Sequence, residues 1–179
     1  MSKYYNINNK NKDYILNIDI NMEYNKWESC NDLDDYIIRI ATYVFDKFEI
    51  KSYADQIEFT ILFVNDEYIQ EVNSHFRSKN SPTNCLSFPL YKIKEGKIKK
   101  NQFLRKVANL GDVIFAYDVI LEESKTENKN FYDHFSHLLI HSLLHLLGFD
   151  HIRKDEAIHM EKLEEEFLSY FNIQSPYIN

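Results

Sequence analysis

The chain reads HSLLHLLGFDH at residues 141–151, a leucine-rich run that holds three of its seven histidines. The leucines predict a buried helix, and Gly148 suits the left-handed backbone position at which helices commonly end. His141 and His145 are four residues apart, so on a helix they project from one face about one turn apart. The stretch therefore predicts a long central helix with two imidazoles at its end.

A third histidine, His151, follows the predicted helix end. The Phe149-Asp150 segment can reverse the chain and bring His151 back toward the other two. Zinc binds imidazole nitrogens, and three protein ligands leave a fourth position open for chemistry. We therefore expect one Zn²⁺ per chain held by His141, His145 and His151, although three imidazoles accept nickel or copper as well.

Other polar residues lie close to these three in the sequence. His134 and His137 fall on the same predicted helix face, two turns and one turn before His141. They are candidates for orienting the metal ligands or facing the substrate, and packing in the core is an equal alternative. Asp150 is a nearby carboxylate that could cap the turn or orient an imidazole.

The spacing H-x-x-x-H-x-x-G-x-x-H resembles that of the metzincin peptidases, which have a glutamate directly after the first histidine. In this chain that position is Ser142. A serine hydroxyl cannot replace the carboxylate as general base in peptide hydrolysis. A metzincin-like zinc peptidase is therefore the less favoured alternative.

The rest of the chain predicts alternating strands and helices. Residues 16–22 and 57–63 alternate apolar and polar side chains, which is typical of half-buried strands. Residues 112–116 predict a further strand, and Gly96 predicts a hairpin tip. We expect an α+β (mixed α/β) fold in a single domain, with roughly four strands in a mixed sheet covered by about five helices.

Composition limits the class of protein. The two cysteines are too few for a disulfide framework, and no apolar segment is long enough for a signal peptide or a membrane span. We therefore expect a soluble cytoplasmic protein with no membrane contact. Residues 1–12 are polar and rich in asparagine and predict a flexible tail, which leaves residues 13–179 as the domain.

The net charge of -7 does not by itself indicate a nucleic-acid-binding protein. Residues 92–106, however, contain seven Lys or Arg residues and one acid, which suits a polyanionic partner. A solvated hairpin whose lysines prevent edge pairing is an equal alternative. The acidic residues of the last predicted helix are expected on its outer face, away from such a partner: Glu161, Glu164, Glu165 and Glu166.

Three segments together resemble the YbeY family, bacterial zinc-dependent endoribonucleases of rRNA maturation. HSLLHLLGFDH is similar to the family signature H-G-x-L-H-L-x-G-Y-D-H, and the preceding HFSHLLIHS is similar to the family's approach to it. VNSHFRSKNSPTNCLSFPL is similar to N-x-x-[YF]-R-x-x-x-x-P-T-D-V-L-S-F-P, and NLGDVIFAYDVI to L-G-D-I-x-I. These segments cover most of residues 60–152 in the family's order.

The resemblance implies that His141, His145 and His151 bind zinc and that Arg77 and His141 are catalytic. Arginine suits this role because its planar fork binds phosphate through two hydrogen bonds and stays charged. The chain departs from the family pattern at two places. Ser142 replaces a glycine, and Asn84 replaces the aspartate of the P-T-D turn, so any role of that carboxylate is in doubt here.

The expected function is that of a single-strand-specific endoribonuclease acting in rRNA maturation and ribosome assembly. Its partners would be single-stranded RNA, an rRNA precursor, and the ribosome or ribosome-assembly proteins. Hydrolysis by water and attack by the 2′-hydroxyl of RNA are both open, as is the oligomeric state. A non-catalytic, zinc-stabilised ribosome assembly factor is the second alternative. Candidate RNA contacts are Lys79, Lys97, Lys99 and Lys100.

Overall fold

A five-stranded mixed sheet with helices on both faces forms the framework of the described residues, 3–9 and 14–177 of a computed structural model. The strands are β1 (Lys3–Asn9), β2 (Ile15–Met22), β3 (Gln56–Val64), β4 (Cys85–Pro89) and β5 (Val107–Ala116). The helices are α1 (Leu33–Lys47), α2 (Asp66–Arg77), α3 (Tyr117–Thr126), α4 (Phe131–Leu146) and α5 (Lys154–Tyr170). None of these helices is both long and apolar enough to cross a membrane.

The strand order is β1-β2-β3-β5-β4. Strands β2, β3 and β5 are parallel, while β1 and β4 pair antiparallel at the two edges.

The α+β class and the five helices are confirmed. The sheet has five strands instead of roughly four because residues 3–9, expected within a flexible tail, form β1. Only Ile7 of β1 is buried, so this edge strand has almost no hydrophobic alternation in its sequence. Residues 1–2 and 10–12 of the expected tail lie outside the described residues.

Helix α4 lies at the centre of the core, as predicted. Asn130 caps its first turn by accepting a hydrogen bond from the backbone N–H of Tyr132 at 2.8 Å. Phe135 of α4 packs against Phe115 of β5, with ring centroids 5.1 Å apart. The leucines between its histidines are buried, which leaves the histidine face as the polar side of the helix. Two of the three predicted metal ligands, His141 and His145, therefore stand on a helix that is packed into the core.

The opposite sheet face carries a smaller core that positions Arg77. Val64 and Ile114 of the sheet pack with Ile69 of α2. Asn65 begins α2 by accepting a hydrogen bond from the backbone N–H of Tyr68 at 3.0 Å. The helix ends at Arg77, which is exposed.

The basic segment 92–106 forms the predicted hairpin tip and docks on the end of α4. A bridge between Lys94 and Lys97 closes the tip. The backbone N–H of Gly96 donates to the Leu147 carbonyl at 2.9 Å, and that of Glu95 donates to the Gly148 carbonyl at 3.2 Å. These bonds satisfy carbonyls that the helix end leaves without partners. The hairpin tip and the turn before His151 are therefore joined through the backbone.

Candidate metal centre

The three predicted metal ligands converge at the C-terminal end of α4. One ring nitrogen from each of His141, His145 and His151 lies within 4.8 Å of the other two. The ring centroids of His141 and His145 are 4.5 Å apart. The ring centroid of His151 lies 5.3 Å from that of His141 and 5.1 Å from that of His145. His141 and His145 are half-buried and His151 is exposed, so the cluster opens to solvent on the His151 side.

The turn after α4 brings His151 to this position. Gly148 has φ +79°, a backbone conformation that residues with a side chain rarely adopt. A Cβ at this position would lie 1.9 Å from the carbonyl oxygen of Ile93. Phe149 is buried and anchors the turn. Asp150 caps the turn, because its Oδ1 accepts a hydrogen bond from the backbone N–H of His151 at 2.8 Å. Local sequence therefore determines where the third imidazole goes.

Hydrogen bonds fix which nitrogen of each helical histidine faces the cluster. His145 Nδ1 lies 2.9 Å from the Phe149 carbonyl oxygen, and His141 Nδ1 lies 2.8 Å from a carboxylate oxygen of Glu164. Both partners accept only, so each Nδ1 carries the hydrogen and each Nε2 presents its lone pair. These two Nε2 atoms are 3.1 Å apart.

When both imidazoles are neutral, their Nε2 lone pairs face each other, and a cation at both atoms, either a shared proton or a metal ion, removes the repulsion. Two nitrogens bound to one tetrahedral zinc at 2.0–2.1 Å are separated by about 3.3 Å, close to the distance seen here. Burial is the main cause that lowers the pKa of His145 to about 4, so this imidazole is neutral at physiological pH. Neutral imidazole is the form that binds a metal, and the cluster fits one.

Glu164, predicted on the outer face of the last helix, is instead buried next to the cluster, with 1% of its surface exposed. Its Oε1 accepts the bond from His141, while its Oε2 lies 3.1 Å from His137 Nε2 and accepts from the Tyr177 hydroxyl. Burial acts to raise the pKa of Glu164, but the hydrogen bonds from His137 and His141 outweigh it and lower that pKa to about 2. The carboxylate is therefore ionised.

The expectation that all four glutamates of α5 face outward is wrong for Glu164. The charge of the acidic run favours a solvated face for all four glutamates, whereas the helical period places Glu164 inward. Met160, Glu164 and Phe167 are spaced by four and three residues, which is the pattern of one inward helix face. That spacing was the available signal.

His134 takes part in a second polar group at the other end of α4. It is 5% exposed, and its Nε2 lies 2.8 Å from Oε2 of Glu123 on α3. Asn84 donates to the same carboxylate at 3.0 Å. Burial acts to raise the pKa of Glu123, but the bonds from His134 and Asn84 lower it overall. The asparagine at position 84 thus serves as a donor to Glu123, a role that the family's aspartate could not fill when ionised.

Arg77 has no hydrogen bond or ion pair to any other described residue. Its charge acts on the buried thiol of Cys85. Burial raises the pKa of this thiol to about 11, while the Ser142 hydroxyl and the charge of Arg77 act to lower it. Ser142 is fully buried and immediately follows His141. Arg77 is therefore close enough to Cys85 for its charge to act on that thiol. The four candidate RNA contacts are all exposed: Lys79, Lys97, Lys99 and Lys100.

Comparison with known proteins gives matches of three kinds. The family model described as Endoribonuclease YbeY matches residues 19–172. A curated relative, Endoribonuclease YbeY of Bartonella bacilliformis, is 41% identical over 120 residues, which is 67% of this chain and 72% of the relative. A solution structure of a Thermotoga maritima protein is similar with a TM-score of 0.47 and 19% identity, over 90% of this chain and 99% of that one.

Proposed function

This chain belongs to the YbeY family of endoribonucleases, and we propose that it is a zinc-dependent enzyme that cleaves single-stranded RNA in rRNA maturation. The observation that carries the proposal is the pair of Nε2 atoms of His141 and His145, which face each other at 3.1 Å with His151 beside them. Residues 13–179 act as one nuclease domain. We place it in the cytoplasm, where the unpaired thiols of Cys30 and Cys85 stay reduced.

The three histidines would hold one Zn²⁺ in this domain. Such an ion, when bound, withdraws charge from a phosphoryl oxygen and activates water. His145 contributes a neutral imidazole because its pKa is lowered to about 4, mainly by burial, and His141 is fixed in orientation by Glu164. His151 stands at the exposed side, where an RNA strand can approach.

Arg77 would bind the scissile phosphate. Its guanidinium is exposed and has no carboxylate partner among the described residues, so it is available to an anion. A guanidinium binds phosphate through two parallel hydrogen bonds and stabilises the charge that develops during cleavage. Lysine would supply the charge but lose this geometry.

The basic hairpin would contact the strand beyond the cleavage site. Its tip is bonded to the Leu147 and Gly148 carbonyls at the turn that leads to His151, so exposed Lys97 belongs to the same end of the molecule as the candidate metal centre. Lys79, Lys99 and Lys100 add positive charge along the chain. The polyanions that this charge suits are an rRNA precursor and the ribosome, with ribosome-assembly proteins as further partners.

The position of Glu164 gives no support to a zinc peptidase. Glu164 contacts Nδ1 of His141, whereas the metal would be bound by Nε2 on the other side of the ring. It therefore cannot reach a water molecule on the metal to act as general base. Ser142, at the position of the peptidase glutamate, is fully buried.

The test is cleavage of a single-stranded RNA and of its duplex by the zinc-loaded protein, with Arg77→Ala, Arg77→Lys and His145→Ala. Arg39→Ala removes an arginine from α1 and is the matched control. We expect wild type and Arg39→Ala to cleave the single strand only, and Arg77→Ala to lose about 100-fold or more in rate. Full activity in folded Arg77→Ala would contradict the role of Arg77. A zinc-loaded wild type that cleaves no RNA would favour the non-catalytic assembly factor.

The chemical ends of the products decide the nucleophile. A 2′,3′-cyclic phosphate identifies attack by the 2′-hydroxyl of RNA. A 5′-phosphate with a free 3′-hydroxyl identifies hydrolysis by water activated in the site.

A further inference from the structure

Glu164 occupies an unusual place for a carboxylate, at the interface of α4 and α5 with 1% of its surface exposed. A buried charge is costly unless hydrogen bonds compensate it. Three donors do so here, the ring N–H groups of His137 and His141 and the hydroxyl of Tyr177. All belong to the side of the protein that holds the metal centre.

The contacts of Glu164 divide between its two oxygens. Among the described residues, Oε1 accepts from His141 Nδ1 alone, at 2.8 Å. Oε2 accepts from His137 Nε2, at 3.1 Å, and from the Tyr177 hydroxyl. Tyr177 lies beyond the end of α5 and also contacts His137, with 3.3 Å between the hydroxyl and Nε2. The segment after α5 thereby closes over the carboxylate.

We propose that Glu164 is a positioning residue that sets the tautomer and orientation of His141 toward the metal, and that Tyr177 holds Glu164 in place. This inference rests on the proposed metal-dependent function. A neutral imidazole can carry its hydrogen on either nitrogen, and only the Nδ1–H form offers Nε2 to a metal. A carboxylate on Nδ1–H selects that form and makes Nε2 a stronger donor.

Glu164 acts through His141 and does not touch the substrate. Its carboxylate lies on the Nδ1 side of the ring, opposite to the nitrogen that faces His145. The equivalent partner of His145 is the Phe149 carbonyl, which is neutral. His141 is thus the helical ligand whose orientation depends on a charged side chain. Loss of the Glu164 charge should therefore weaken metal binding more than it changes RNA cleavage by the metal-loaded protein.

The experiment measures zinc affinity by competition with a chromophoric chelator for wild type, Glu164→Gln and Tyr177→Phe. Glu161→Gln is the matched control, since it removes the same charge from an exposed position of α5. We expect Glu164→Gln to weaken zinc binding by about 10- to 100-fold, and Tyr177→Phe to weaken it by about threefold. Glu161→Gln should stay within about twofold of wild type.

Three further measurements separate positioning from a structural role. Urea unfolding of the zinc-free proteins shows whether Glu164→Gln is folded, and the Co²⁺ absorption spectrum of the variant should differ from that of wild type. RNA cleavage at saturating zinc should recover most of the lost activity in Glu164→Gln. A folded Glu164→Gln protein with the zinc affinity of Glu161→Gln would overturn the proposal. If Glu164→Gln does not fold, unchanged zinc affinity in Tyr177→Phe overturns it instead.

The outcome is independent of the nuclease proposal. Wild type that binds zinc tightly but cleaves no RNA would end the proposed function. The affinity difference between Glu164→Gln and Glu161→Gln would still decide the role of Glu164.

Discussion

Gly148 lies directly against Ile93, so that a Cβ at position 148 would come within 1.9 Å of the Ile93 carbonyl oxygen and 2.5 Å of the carbonyl carbon. The contact is between two backbones, and neither can rotate away as a side chain could. The same glycine has φ +79° and accepts a hydrogen bond from the Glu95 N–H through its own carbonyl. The end of α4 and the basic hairpin are therefore packed together at a point that only glycine permits.

We accordingly expect Gly148→Ala to destabilise the protein by at least about 2 kcal/mol, because it combines backbone strain with a steric clash. It should also reduce zinc binding, since the turn that carries His151 must shift. Urea unfolding and zinc titration measure the two effects. Gly96→Ala is the comparison, because its φ is also positive but its Cβ would meet the ring of Phe48, which is a side chain and can move. Equal losses in the two variants would contradict the backbone argument.

The geometry of His141 and His145 predicts that zinc binding raises the thermal stability of the protein. Because the Nε2 atoms of His141 and His145 face each other at 3.1 Å, zinc should relieve their repulsion and stabilise the folded state. We expect one zinc per chain in wild type and no tight zinc in His145→Ala, and zinc should raise the melting temperature of wild type but not that of His145→Ala. His75→Ala removes an exposed histidine from α2 and should behave as wild type. Elemental analysis and a thermal melt test this, and stoichiometric zinc in His145→Ala would refute it.

The sequence was sufficient for features that depend on local spacing. The pairing of His141 with His145, the glycine at the helix end and the buried faces of β2 and β3 each follow from a period of a few residues. These signals survive in a single sequence because they require no knowledge of distant partners.

Features that depend on distant pairing were not predicted. Strand β1 is specified by its register with β2, in which Ile7 faces Ile18, and its own residues are mostly polar. Glu164 meets His141 across an interface between two helices, 23 residues apart in sequence. Asn84 and Glu123 likewise lie on different elements. In each case the decisive contact is nonlocal, and the local sequence alone pointed to a tail, a solvated face or a turn.

The tryptophan of this chain should report on the main core. Trp27, the single tryptophan of the sequence, is fully buried, with its ring centroid 4.4 Å from that of Phe63. Its Nε1–H donates to the Val64 carbonyl at 3.2 Å. We expect blue-shifted emission that moves to the red in the same urea transition as the circular dichroism signal. Trp27→Phe should lower the free energy of unfolding by about 2 kcal/mol, through lost packing and the unpaired carbonyl. Emission typical of exposed tryptophan in the folded protein would contradict this placement.

The Glu123 carboxylate predicts a pH-dependent contribution to stability. Its pKa is lowered in the folded state from an ordinary value of 4.5, despite burial that acts to raise it, because His134 and Asn84 donate to the ionised form. A depressed folded pKa stabilises the protein above pH 4.5, and that stabilisation is lost as the pH falls through the folded pKa. Glu123→Gln should therefore be less stable than wild type at pH 7, with a difference that narrows below pH 4.5. Glu127→Gln, a more exposed position in the same region, is the control for unfolding measured across this range.

Asn84→Asp, which restores the family's aspartate, should replace the hydrogen bonds from position 84 to Glu123 by electrostatic repulsion. The amide of Asn84 donates to both oxygens of Glu123, at 3.2 Å and 3.0 Å, so Asn84→Asp would replace a donor by a second carboxylate facing the first. Two ionised carboxylates at that distance repel, and one of them must take up a proton or move. We expect Asn84→Asp to lower the free energy of unfolding at pH 7 by about 1–2 kcal/mol and to recover toward wild type as the pH falls and a carboxylate is protonated. Asn84→Ala separates the two causes, because it removes the donor without adding charge and should show no such recovery. Unfolding curves at pH 7 and pH 5 test this, and an Asn84→Asp protein as stable as wild type at pH 7 would show that the asparagine is not required by Glu123.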